Sequence, residues 1–116
     1  MNAESIRNLE ATHLEVWNER DRSKRDGMLS EIYAHDIRMY DPNTILNGIS
    51  EVSDFIDKVQ TDPEFNFKAV RPMEWTQNGA RLFWTIETSK GDLKGMDFFI
   101  LENGKVAHLY VFIGDK

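Results

Sequence analysis

Cysteine is absent from the sequence. That excludes disulfide bridges and thiolate metal sites, leaves stability to packing, and suits a reducing, cytoplasmic setting. The opening residues lack the basic start and apolar run of a signal peptide. No stretch approaches the roughly 20 apolar residues of a membrane span, so no membrane is expected as a partner. Blocks of lysine or arginine are also missing: 14 basic residues stand against 20 acidic ones, a formal net charge of −6. Such a chain has no patch to neutralise a phosphate backbone, and no nucleic acid is expected. No glycine-rich phosphate loop, nucleophile elbow or serine-histidine-aspartate order is visible, which removes support for nucleotide binding and covalent hydrolysis. His13, His35 and His108 fall on separate predicted elements without ligand spacing, so no metal and no other cofactor is expected.

What is present is an ordinary globular composition. The chain has 116 residues, 41% of them hydrophobic and 29% charged, which predicts one domain over 1–116 with one apolar core. Ile6, Leu9, His13, Val16 and Trp17 recur at helical spacing and predict an amphipathic helix from Ala3 to Arg20. Ser23 is placed to cap a second helix whose apolar positions are Met28, Leu29, Ile32 and Tyr33. A short strand over 36–41 stops at Asp41-Pro42-Asn43, and after Asn47-Gly48 a third helix carries Ile49, Val52, Phe55, Ile56 and Val59. The remainder reads as a meander of strands over 67–74, 81–88, 92–101 and 106–113, with turns at Asn78-Gly79, Lys90-Gly91-Asp92 and Asn103-Gly104. The order predicts an α+β domain with helices gathered on one face of an antiparallel sheet.

The last hairpin permits two registers. A two-residue loop would place Asp97 opposite Tyr110 and mix polar with apolar groups on one face. A three-residue loop, with a bulge at Gly104, groups Asp97, Phe99 and Leu101 with Ala107, Leu109, Val111 and Ile113. Hydrophobic burial favours the second register, in which Asp97 is the only ionisable group on an inward apolar face. Desolvation disfavours a charge there, so Asp97 is expected to hold a proton and donate a hydrogen bond. Phe98, Ile100, Tyr110 and Phe112 then form an outer aromatic face, which predicts a homodimer through that face.

Tyr33-Ala34-His35-Asp36-Ile37-Arg38-Met39-Tyr40-Asp41-Pro42, followed by Gly48 and the helix with Phe55-Ile56, resembles the core of the nuclear transport factor 2-like superfamily. Gly95-Met96-Asp97-Phe98-Phe99, with Asn103-Gly104-Lys105-Val106 and Phe112-Ile113-Gly114, resembles its last hairpin. The resemblance covers most of the chain. It implies a cone-shaped, cystatin-like fold in which a curved antiparallel sheet wraps on about three helices. The superfamily includes ketosteroid isomerases, SnoaL-like polyketide cyclases, dehydratases and epoxide hydrolases. It therefore implies a pocket for a small apolar or polycyclic molecule, with cofactor-free acid-base chemistry on a carbonyl compound. The alternative is a non-catalytic ligand-binding or dimeric scaffold protein of the same fold. By resemblance to the isomerases, Asp41 falls at the general-base position and Asp97 at that of the protonated donor. The family's tyrosine position falls near His13, where no tyrosine stands, and the arginine of the epoxide hydrolases is here Gly95.

Each candidate also has a plainer reading. Asp41 can be a turn residue bonded to the backbone after Pro42. His13 points inward between Leu9 and Trp17, where a satisfied core histidine is the common case. Trp17, Met39, Phe55, Trp84 and Phe99 are expected to line the ligand cavity, and core packing accounts for the same residues.

Overall fold

A computed structural model describes residues 1–114 of the chain. Helix α1, Ala3–Asn18, opens on a capping box in which the Asn2 side chain accepts from the Ser5 N–H at 2.8 Å and the Ser5 hydroxyl accepts from the Asn2 N–H at 3.0 Å. It buries Ile6, Leu9, His13, Val16 and Trp17, as its periodicity predicts. Helix α2, Arg22–Ile32, is capped by Asp21 rather than by Ser23: the Asp21 carboxylate accepts from the Ser23 and Lys24 N–H groups, where a negative charge also complements the helix dipole. Helix α3, Gly48–Val59, buries Val52, Ser53 and Ile56.

The strands are β1 Tyr33–Asp41, β2 Thr44–Asn47, β3 Asn66–Ala69, β4 Glu74–Thr76, β5 Gly79–Thr88, β6 Gly91–Glu102 and β7 Lys105–Ile113. They form one curved sheet in the order β2-β1-β7-β6-β5-β3, with β4 also on β5. Three expectations are corrected here. The sheet is mixed, because β1 pairs with β7 in parallel; helix α3 and the whole meander lie between them, so no hairpin forces the two strands to run in opposite directions. Strand β2, where only a break was expected, hairpins back on β1 across Pro42-Asn43. The single strand expected over 67–74 is two short ones, β3 and β4, and Pro72 in the gap has no N–H to give to a ladder.

The β6–β7 hairpin combines features of both sequence registers. Its turn is the two-residue kind, with Asn103 at φ 52 and Gly104 at φ 80, the positive pair that such a tight turn requires. Farther along, Asp97 pairs with Val111 and Phe99 with Leu109, as burial favours. The two are reconciled by a bulge: Ile100 pairs with His108 and Leu101 with Val106, which leaves Ala107 as the extra residue. The extra residue is therefore at Ala107 and not at Gly104, and Val106 rather than Ala107 joins the inner row, fully buried.

Helices α2 and α3 are joined by a buried polar clasp. Arg25, fully buried, donates through Nη1 to the Glu19 carbonyl and Gln60 Oε1, both at 3.1 Å, and through Nη2 to Ser53 and to the Asp57 carboxylate. Arg22 donates to the other Asp57 oxygen at 2.6 Å. Gln60 in turn donates to the Trp17 and Glu19 carbonyls, both at 2.9 Å, which ties the end of α1 to the clasp.

Candidate functional site

Between the helices and the concave face of the sheet lies a cavity of about 280 Å³. Trp17 enters it from α1, Met39 and Asp41 from β1, Phe55 from α3, Trp84 from β5, and Asp97 from β6. Met39 and Asp41 stand two apart on one strand and so share its inner face. Phe67 is held at the wall by two hydrogen bonds with the Asn18 side chain, at 2.8 and 2.9 Å. Gly95 makes room for Trp84: a Cβ at that position would lie 2.3 Å from the Trp84 ring, so the indole lies across the strand and reaches Asp97.

Behind the cavity wall five side chains form one buried hydrogen-bonded chain. Trp17 Nε1–H donates to the Tyr33 hydroxyl at 3.1 Å, and Tyr33 Oη lies 2.6 Å from His13 Nδ1. His13 Nε2 lies 2.9 Å from Asp97 Oδ2, and Trp84 Nε1–H donates to Asp97 Oδ1 at 2.9 Å. Both ends are indoles, which can only donate. Four contacts need four hydrogens, one each. With a neutral His13 and an ionised Asp97 the supply is one from each indole, one from Tyr33 and one from His13, and every contact is filled once. A protonated Asp97 or a cationic His13 would add a hydrogen that has no acceptor in the chain. Hydrogen counting thus fixes the tautomer: Tyr33 donates to Nδ1, Nε2–H donates to Asp97, and Asp97 accepts at both oxygens. This count weighs against the proton-holding role expected of Asp97, because two inward-pointing donors compensate the burial of a charge there. Tyr33 stays protonated, since burial, helped by the Asp97 charge, raises its hydroxyl pKa far above the ordinary range.

Among the sequence-predicted residues, Trp17, Met39, Phe55, Trp84, Asp41 and Asp97 line the cavity. Phe99 and His13 do not. Phe99 is fully buried in the layer behind, edge-on to the His13 ring with centroids 4.8 Å apart. His13, also fully buried, stands behind the lining, bonded to Asp97 and packed against the Trp17 and Phe67 rings. Asp41 has both features weighed for it: it lines the cavity, and its Oδ2 accepts from the Asn43 N–H at 3.2 Å in its own turn.

Two residues escaped the sequence reading. Tyr33 was counted with the apolar positions of α2, four residues after Leu29; it is the first residue of β1, and it supplies a phenol from an unexpected direction, behind His13 instead of in the cavity. Asp62 was read only as a helix stop. It stands at the cavity rim, accepting from the Ser89 N–H at 3.0 Å and the Glu64 N–H at 2.9 Å, and these bonds, Ser89 first, hold its carboxyl below the usual range.

The donor inventory of the lining is short. Trp17 Nε1–H is committed to Tyr33, Trp84 Nε1–H to Asp97, and the Thr88 hydroxyl to the Gly91 carbonyl at 2.6 Å. The other lining side chains among the described residues are apolar or carboxylate. The cavity thus offers acceptors and apolar surface, with its side-chain donors already engaged.

No family model matches the sequence, and no curated protein matches it. Solved structures do. A candidate isomerase of the SnoaL-like family from Agrobacterium tumefaciens superposes with a TM-score of 0.85 at 22% identity, covering 97% of this chain and 99% of that one. A nuclear transport factor 2-like protein of unknown function from Cytophaga hutchinsonii superposes at 0.74 with 15% identity, over 94% and 89% of the two chains. The chain has the nuclear transport factor 2-like fold. A candidate ketosteroid isomerase from Kribbella flavida, at TM-score 0.77 and 17% identity over 97% and 80% of the chains, shares it. At such identities the likeness carries the architecture and not the chemistry.

Proposed function

We propose that this protein binds a small apolar molecule, with polycyclic compounds among those that fit, in the cavity between its helices and sheet. The observation that carries the reading is an apolar chamber of about 280 Å³ walled by aromatic rings with a few convergent carboxylates, the composition typical of a ligand site. A neutral apolar dye such as Nile red is expected to bind one per chain. Val111→Phe and Phe55→Trp, which fill the chamber, should abolish its binding while circular dichroism stays unchanged. Dye binding that persists through both substitutions would sink the reading.

A second reading, cofactor-free acid-base catalysis of isomerase, cyclase or dehydratase type, is favoured by Asp41 and Asp97 opening on the same chamber. In it Asp41 takes the proton from a carbon acid. The engaged state of Trp17, Trp84 and Thr88 weighs against a strong oxyanion site, which is why binding stands first. A β,γ-unsaturated steroid ketone tests it. Conjugated product formed by the natural chain and not by Asp41→Asn supports a base, and no turnover by either rules out this isomerisation.

We propose further that two copies pair through the convex sheet face. Tyr40 and Tyr110 stack there at 4.4 Å, Phe98 lies half-buried beside Tyr110, and Phe112 is 55% exposed. Sedimentation should show a dimer that Phe112→Asp weakens, and a monomer at high concentration would remove the proposal.

A further inference from the structure

The charge of the cavity's occupant can be argued from its walls, taking as given the binding reading above. Asp41, Asp62 and Asp97 line the chamber, and among the described residues no lysine, arginine or histidine does. Arg71 and Lys94 line a neighbouring groove instead. Five aromatic rings, from Trp17, Trp84, Phe55, Phe65 and Phe67, share the rest of the wall with mainly aliphatic side chains. Their faces carry the negative side of the ring quadrupole.

An anion in this chamber would meet three carboxylates and several aromatic rings with no cation among the described lining residues, Arg20 acting on Asp62 from outside the lining. A neutral carbonyl compound would need a hydrogen-bond donor, and the lining's side-chain donors are spent on Tyr33, Asp97 and the Gly91 carbonyl. Acceptor capacity, in contrast, is left over. A carboxylate has about four acceptor positions. The hydrogen bonds of Asp97 use one on each oxygen, and Asp41 has one oxygen engaged by the Asn43 N–H. The ligand must therefore bring both the donors and the positive charge.

We infer that the cavity is selective for apolar amines in their ammonium form, with the hydrocarbon body against the aromatic rings and the ammonium group directed at Asp41 and Asp97. The net charge of −6 favours the approach of such a cation.

Three probes with one hydrocarbon cage separate charge from shape: 1-adamantanamine, 1-adamantanol and 1-adamantanecarboxylate, titrated calorimetrically into the full chain at neutral pH. The ammonium should bind about ten-fold more tightly than the alcohol, and the carboxylate most weakly. Asp41→Asn keeps an oxygen for the Asn43 N–H, so its turn should survive. It should remove several-fold of the ammonium's advantage over the alcohol. Added salt should weaken the amine alone. An alcohol that binds as well as the amine, or a carboxylate that binds best, overturns this inference and leaves the cavity reading standing. Binding of none of the three overturns both.

Discussion

Two buried polar clusters meet at Trp17, whose carbonyl accepts from one and whose indole N–H donates into the other, and they are built in opposite ways. The Arg25 clasp surrounds one fully buried cation with acceptors drawn from α3, its C-cap and the segment between α1 and α2, and even so leaves Arg25 Nε without a partner. The His13–Asp97 chain instead has one hydrogen for each contact and surrounds a carboxylate with donors. In the first, Arg25 is enclosed while Asp57 and Arg22 reach the surface, and the cluster reads as a fastener between helices. The second ends in two indoles and a carboxylate that form part of a cavity wall. Burial of a charge alone does not mark a functional group; what distinguishes the second cluster is that its members also line the apolar cavity between helices and sheet.

Breaking each cluster should sharpen the contrast. Arg25→Met should cost most, about 3 kcal/mol by chemical denaturation, since it strands Gln60 and Ser53 and leaves Asp57 without its main partner. Ligand affinity of the folded fraction should not change. Asp97→Asn should cost about 1–3 kcal/mol, because an amide turns one acceptor into a donor facing a donor. Its signature is specific: the His13 ring nitrogens, as read by NMR, should leave the Nε2–H tautomer seen in the natural chain. Tyr33→Phe, which keeps the ring and leaves Trp17 Nε1–H unmatched, should cost about 1 kcal/mol and also release that tautomer. A His13 that holds the Nδ1–H form in the natural chain would contradict the hydrogen count.

The smallest effect is in the clasp's dependence on acid. The Arg25 hydrogen bond above all, with Arg22 behind it, holds the Asp57 carboxyl below its ordinary value. A carboxyl lowered in the folded state gives stability that is present at neutral pH. That stability is lost as pH falls from the unfolded value of about 3.9 through the lower folded one. Asp57→Asn should flatten the acid limb of the stability curve, and an unchanged limb would assign that limb to other groups such as Asp62.

Much of this was legible in the chain, and the rest was hidden for identifiable reasons. Alternation along β6 and β7 exposed Asp97 as the one acid in an apolar row, because a buried face tolerates only one register. The amphipathic stripe of α1 placed His13 and Trp17 inward for the same kind of reason. Tyr33 was hidden by an accident of spacing, since a strand that begins directly at a helix end leaves its first residue in phase with the helix. Strand β2 has four mostly exposed residues, too few and too polar for a period to show. The parallel β1–β7 pair joins segments some 65 residues apart, a separation that no local pattern records. The burial of Arg25 leaves no local signal, because its acceptors come from Glu19 and from the third helix and its end.

The extra residue at Ala107 has a consequence for how this hairpin can change in length. Because neighbouring side chains alternate in direction, taking Ala107 into the ladder without the bulge would invert every side chain of β7 beyond it relative to β6, turning Leu109 and Val111 outward and His108 and Tyr110 inward. Asp97 would then face a tyrosine instead of a valine. Any variant that lengthens or shortens the tip by an odd number must therefore gain or lose a bulge at the same time, whereas changes by two leave the interior intact.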